Sequence, residues 1–242
     1  MKLGELTWPE VEVLDKDKIV ILPLGSFEQH GRHLPLLTDT IIVTAIAEQV
    51  EAAQKETVLL LPTLWLGYSP HHLGFPGTIT VEHDTYVDIL CQILNPLIEL
   101  GFRKILALNG HAGNDCTVRI AMREVRRKLK GADNLWLVII SEWTAAQNML
   151  HACEVETSLV LHLRSDLVRM EEAKAEVKEF HSNFYSFDFD KPDIVTLDYA
   201  FREVTKTGAL GHPELATEGE GEKLLQKMVS ETIRFVSEFA LW

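Results

Sequence analysis

Four short stretches of this 242-residue chain concentrate the residue types that bind metals or move protons. The first runs from Gly25 to Asp39 and holds Glu28, His30, His33 and Asp39. In an extended segment Glu28 and His30 point to the same side, so a carboxylate and an imidazole can share one metal or sit on two adjacent ones. Asp39 stands where it could cap a helix starting near Thr40, or turn back as a bridging carboxylate. The second stretch, Asn109 to Asp115, sets His111 in a turn whose small residues allow a sharp bend with exposed backbone N–H groups. Gly113 and Asn114 of this turn are candidate substrate contacts. The third, His151 to Ser158, puts Glu156 near a helix start, where it could complement the helix dipole or face a cation. The fourth, Pro70 to Thr78, is a turn-rich loop from which His72 could orient a substrate. Trp143, after a strand, could stack on a flat substrate or pack in the core.

These stretches follow elements that can hold them. Short apolar runs at 18–23, 57–62, 104–108 and 135–141 read as strands buried on both faces. Between and after them, helical patterns run at about 40–54, 83–100, 115–130, 154–163 and 218–239. In the second of these, Val87, Leu90, Leu94, Leu97 and Ile98 make one apolar face, and Gly101 stops the helix. A strand–helix–strand rhythm implies an α/β fold: three layers, with a mostly parallel sheet covered by helices on both faces. In open sheets of this kind the chemistry lies beyond the carboxyl ends of the strands. The segment 181–201 is aromatic, acidic and without helical period. It reads equally as a substrate-covering loop, an oligomer contact or a packed surface loop. There is no repeat, low-complexity tract or linker, so residues 1–242 are read as a single domain.

Composition removes several function classes. With 23 Lys and Arg against 36 Asp and Glu, the formal net charge is −13, which gives no general attraction to nucleic acid or anionic lipid. No apolar run is long enough for a membrane span. The N-terminal segment has no apolar signal core. Cys91, Cys116 and Cys153 lack the spacing of a disulfide framework or a thiolate zinc site. They read as small buried hydrophobes in a reducing, cytoplasmic compartment. Neither a Gly-x-Ser-x-Gly elbow nor a GxGxxG turn after a strand is present, so serine-hydrolase and dinucleotide readings lack support. A Glu, Asp and His donor set without thiolate suits zinc, manganese or iron better than calcium or magnesium.

The blocks GELTWPEVEVL, PLGSFEQHGRHLPLLTD, GFPGT, LNGHAGN, HACEVETSLVL and GALGHPELATEGEG, in this order, resemble the creatininase (creatinine amidohydrolase) family over nearly the whole chain. The resemblance implies a flavodoxin-related α/β fold, a hydrolytic site with two divalent ions (Zn, Mn or Fe), and a homo-oligomer, commonly a hexamer. It further implies Glu28 and His30 as ligands of separate metals, Asp39 as the bridge, His111 as a further ligand and His151 as a proton shuttle. Glu156 matches the glutamate of the family's ETS block. Two departures stand out. Gly113 replaces a glutamate ligand of creatininase itself, and Gln147 replaces a tryptophan that closes over creatinine, whereas Trp143 matches the other substrate-side tryptophan. Glu156 is therefore expected to take over as a ligand, and creatinine is not the expected substrate. The expected reaction is amide C–N hydrolysis of a small molecule. The alternatives are ring opening of a cyclic ketone or lactone, a peptidase of cofactor-peptide maturation, or a non-catalytic metal-binding subunit.

Overall fold

The structure is a computed structural model that describes residues 1–129, 134–141, 149–180, 182, 184, 195 and 197–242. Its centre is a parallel sheet of four strands, β1 (Ile19–Leu24), β2 (Val58–Leu60), β3 (Lys104–Asn109) and β4 (Trp136–Ser141), in the order β2-β1-β3-β4. β1 and β3 pair over six residues, from Ile19 opposite Lys104 to Leu24 opposite Asn109. The strands form where the apolar runs predict them, except that β2 keeps only three residues: after Leu61 N–H donates to Ile21 O, the next donor in line on β1 is Pro23, which has no N–H.

Every residue of β1 and β3 is buried, and alternate side chains feed two different cores. Ile19, Ile21, Leu106 and Leu108 pack with α2 (Thr38–Ala53), α5 (Glu154–Arg164) and α7 (Glu218–Phe239). Val20, Leu22, Leu24, Ile105 and Ala107 pack with α3 (His83–Glu99) and α4 (Asn114–Lys128). This is the expected three-layer arrangement, and it explains why the strands read as unbroken apolar runs rather than alternating ones. Two short helices complete the set, α1 (Trp8–Glu12) and α6 (Phe201–Val204). Gly101 ends α3 with φ +105°, a conformation that favours glycine.

Three details differ from the sequence reading. The edge strand β4, expected buried on both faces, is exposed or half-buried at five of its six residues. Asp39 lies inside the first turn of α2, which starts at Thr38 after Leu37, so it caps nothing. Cys91 and Cys153 are buried, but Cys116 is exposed on α4. Among the described residues, no helix is long and apolar enough to cross a membrane.

The order β2-β1-β3-β4 makes the connections leave in opposite directions from β1 and β3. That creates a crevice beyond their carboxyl ends, the place where ligands bind in such sheets. Backbone bonds stitch the two exits together, with Gly110 N–H donating to Leu24 O at 2.8 Å and Gly25 N–H to Leu64 O at 2.9 Å.

Candidate metal centre

At this crevice, side chains from five segments converge. Glu28, Gln29 and His30 come from the exit of β1, Asp39 from the first turn of α2, and His111 from the exit of β3. His72 comes from the 3-10 turn Pro70–His72, and His151 and Glu156 from the start of α5. Glu28, His30, Asp39, His72, His111 and Glu156 are all buried. All of them but His30, which lies behind Asp39, floor a cavity of about 890 Å³ whose walls include Tyr68, Met149, Tyr199, Phe201 and Leu210.

Asp39 is the hinge of the arrangement. Its Oδ1 lies 2.8 Å from His30 Nε2, and its Oδ2 lies 3.0 Å from His111 Nδ1. Ser26 Oγ donates to Oδ2 at 2.7 Å, which turns the carboxylate back toward the strand ends. Glu28 Oε2 is 3.2 Å from His111 Nε2, and Glu156 Oε2 is 3.9 Å from His30 Nε2. The Ala152 N–H donates to that same Glu156 oxygen, with Ala152 held at φ +51°.

Backbone carbonyls orient three of the imidazoles. His30 Nδ1 lies 3.2 Å from Glu28 O, His111 Nε2 3.1 Å from Tyr68 O, and His151 Nε2 2.8 Å from Gln29 O. A carbonyl only accepts, so each of these nitrogens carries hydrogen. The other nitrogen of each ring, His30 Nε2, His111 Nδ1 and His151 Nδ1, is then the one that can offer a lone pair to the cavity floor. Tying one ring nitrogen so that the other can ligate is the usual support of a metal-binding histidine.

The residues present fit divalent cations. Both Glu28 oxygens and His30 Nε2 are buried without an aligned hydrogen-bond partner, although neighbours stand 2.8 to 3.2 Å away. Such groups crowd side by side as donors to a shared third body would. No Lys or Arg is among the described residues lining the cavity, so only imidazoles are there to offset three buried carboxylates. Three overlapping sets of donors lie within 4.8 Å of one another: Glu28, Asp39 and His111; His30, His151 and Glu156; and Glu28, His72 and His151.

The electrostatics express the same demand for positive charge. Burial opposes protonation of His30, but Asp39, with Glu156 and Glu28 beyond it, outweighs burial and pushes the ring up to about 10. Burial also opposes protonation of His111, and Glu28 and Asp39 push it up to about 9. Asp39 resists the upward pull of burial and stays well below the usual carboxylate range because both imidazoles face it. Burial pushes Glu156 up to about 8, with His30 opposing and Asp39 reinforcing. Burial, and then the charge of His30 and His72, hold His151 well below the ordinary imidazole value, so it is a neutral base.

The sequence-derived candidates fare unevenly. Glu28, His30, Asp39, His72, His111, His151 and Glu156 come together. Gly113 and Asn114 do not reach the cavity wall. Asn114 is fully buried, accepting from Tyr68 N–H at 3.0 Å and donating to Gly25 O at 3.0 Å, so its amide binds loop to loop. A Cβ at Gly113 would stand 2.4 Å from both His111 Nε2 and Tyr68 O, so glycine is what lets the His111 ring occupy this place. Trp143 and Gln147 lie outside the described residues, as does most of 181–201. Its end does line the cavity, through Leu197 to Phe201. The alternation that pairs Glu28 with His30 would send Gln29 the other way. Residues 28 to 30 are irregular rather than extended strand, and the Gln29 amide joins the same cluster. Neither Gln29 nor Phe201, whose ring lies 4.1 Å from His72 and 4.7 Å from His151, carried a sequence signal beyond its neighbours.

Comparison with known proteins agrees with the block pattern. The creatininase family model, described as creatinine amidohydrolase, matches residues 4–236. A mycofactocin precursor peptide peptidase of Mycobacterium tuberculosis is 33% identical over 229 residues, 91% of this chain and 85% of the relative. A 3-dehydro-scyllo-inosose hydrolase of Thermotoga maritima is 33% identical over 173 residues, 66% of this chain and 55% of the relative. The crystal structure of a creatinine amidohydrolase superposes with a TM-score of 0.84 at 25% identity, covering 98% of this chain and 96% of the other. Two further creatininase structures, each 25% identical with a TM-score of 0.82, are described as a Zn–Zn type mutant and as a Mn form; each alignment covers 98% of this chain and 97% of the other.

Proposed function

The chain belongs to the creatininase family of hydrolases, and from that premise we propose that it cleaves an amide C–N bond of a small molecule at a binuclear metal centre. The observation that carries the reading is Asp39, whose two oxygens each face a different imidazole, as a carboxylate shared between two cations must. Glu28, Asp39 and His111 would hold one ion, and His30, Asp39 and Glu156 the other. Two divalent ions in such a place supply Lewis acidity toward a carbonyl and lower the pKa of water toward neutrality.

The chain's own residues supply the rest. His151 is neutral and turns Nδ1 toward the floor, 3.8 Å from Glu28 Oε1, so it can take a proton from the attacking water. The water oxygen bonds to the carbonyl carbon, the C–N bond breaks, and the proton on His151 passes to the leaving nitrogen. An imidazolium in this buried setting is a strong acid, which favours that second transfer. Phe201 and Leu210 line the cavity beside the floor and limit the entry of bulk water.

Ring opening of a cyclic ketone is the second reading. It is favoured by the likeness to the inosose hydrolase, which is as high in identity as that to the peptidase. A panel of cyclic amides, formamides, cyclic ketones and lactones separates the two by which bond is cut.

The test of the centre is metal content per chain, measured by mass spectrometry on protein kept free of chelator. Two equivalents are expected in the wild type. Asp39→Ala is expected to lose both, with turnover falling by more than the ~100-fold typical of losing an outer partner of a metal ligand. Full occupancy in that variant would defeat the shared-carboxylate assignment.

A further inference from the structure

The Gln29 side chain is buried at the meeting point of two histidines, and its orientation is set twice over. Gly31 N–H reaches one end of the amide at 3.0 Å, so that end is the oxygen. Gly208 O lies 3.1 Å from the other end, so that end is the nitrogen. Gly208 has φ +88°, and a Cβ there would stand 1.9 Å from Gln29 Oε1, so only glycine lets the amide rest in this position.

Gln29 Nε2 therefore has two hydrogens and three neighbours: Gly208 O, His72 Nδ1 at 2.8 Å and His151 Nε2 at 2.9 Å. His151 Nε2 already carries hydrogen toward Gln29 O, so it cannot accept. The second amide hydrogen goes to His72 Nδ1. A ring nitrogen that accepts is bare, so neutral His72 carries its hydrogen on Nε2, the nitrogen 3.2 Å from Glu28 Oε1. Imidazolium is excluded by the same contact, since Nδ1–H would then meet an N–H donor.

We propose that Gln29 is a positioning residue that turns an N–H of His72, not a lone pair, toward Glu28, so that His72 is not a metal ligand. His72 then differs in kind from His30, His111 and His151, whose N–H groups point outward to carbonyls and whose lone pairs face in. Of the three donor sets within 4.8 Å, the one that includes His72 is thereby removed, which leaves the sets built on Asp39 with His111 and on His30 with Glu156. His72 Nε2–H instead presents partial positive charge 3.2 Å from Glu28 Oε1, without an aligned hydrogen bond, and leaves the other oxygen for a cation. The tautomer argument stands on the hydrogen bonds alone; its consequence for ligation rests on the metal-centre reading.

The test is long-range proton–nitrogen NMR of zinc-loaded protein labelled with ¹⁵N in its histidines. The His72 signals are identified by their loss in His72→Gln. The expected pattern is a protonated Nε2 and a bare Nδ1 with no zinc on the ring. A protonated Nδ1, or zinc on Nε2, would overturn the proposal in the wild type, whatever the variants do. Gln29→Met is expected to leave metal content unchanged, mix the His72 tautomers and lower kcat about 10-fold or more. An unchanged His72 pattern in that variant would also overturn it. His72→Gln can accept at its oxygen and donate from its nitrogen, so it is expected to keep metal and more activity than His72→Ala. Protein that takes up no metal would defeat the proposed centre instead, and the His72 pattern could still be read on it.

Discussion

The two halves of the proposed centre are built differently. Glu28, Asp39 and His111 hang from the exits of β1 and β3 and the first turn of α2. The six-residue ladder and the loop bonds around Gly25 and Gly110 hold those exits directly. His151 and Glu156 belong to a segment outside the strand ladder, tied to the β1 exit by His151 Nε2–H donating to Gln29 O and by the packing of α5. That segment needs Ala152 at φ +51°, a conformation that costs about 1–3 kcal/mol, and a bond from its N–H to Glu156. Burial also leaves Glu156 poorly ionised, whereas Asp39 is held firmly as a carboxylate. The strand-exit half is preformed. The helix half depends on a cation to complete it.

The largest expected effects test that contrast through paired variants. Glu28→Gln should strip the strand-exit half, while Glu156→Gln should retain one equivalent per chain held by Glu28, Asp39 and His111. Metal analysis of the two proteins side by side decides it; equal loss in both would erase the distinction. Next in size, His151→Ala should keep its metal and lose about 10²–10⁴ in kcat, as expected for removing a general acid–base. Loss of metal in that variant would make His151 a ligand.

A moderate effect is expected from protons. His30 and His111, held at about 10 and 9, carry protons in the metal-free protein at neutral pH. A cation must displace them, so metal uptake should release protons, and affinity should rise with pH up to that range. Calorimetry in buffers of different ionisation enthalpy counts the protons. Uptake without net release would contradict the charge state described here. The smallest effect is mechanical. A Cβ at Gly221 of α7 would stand 1.9 Å from Ser158 O of α5, so Gly221→Ala should destabilise the protein by about 1–3 kcal/mol. Thermal denaturation with metal analysis should show a lower Tm, with the strand-exit metal kept and the helix-half metal weakened.

The sequence alone carries the layers and most of the cluster. Runs such as KIVILP and KILAL are too uniformly apolar for a half-exposed strand, and their alternation with amphipathic stretches leaves a covered parallel sheet as the economical solution. From there, the rule for strand exits directs attention to Glu28, His30 and His111, because local pattern and chain order both act over short distances. The tertiary structure decides what depends on direction. Asp39 looks like a helix cap in sequence, yet its two oxygens are divided between imidazoles from different segments. Asn114 looks exposed in a glycine turn, yet its amide is spent on Tyr68 and Gly25. Gln29 looks like the outward residue between two inward ones until the irregular strand exit brings its amide onto His72. The physical reason is common to all three. Sequence periodicity says which face a residue is on in a regular element, but a hydrogen bond or a ligand contact is decided by ångström-scale approach between segments far apart in the chain. Only the packed sheet and helices set those distances.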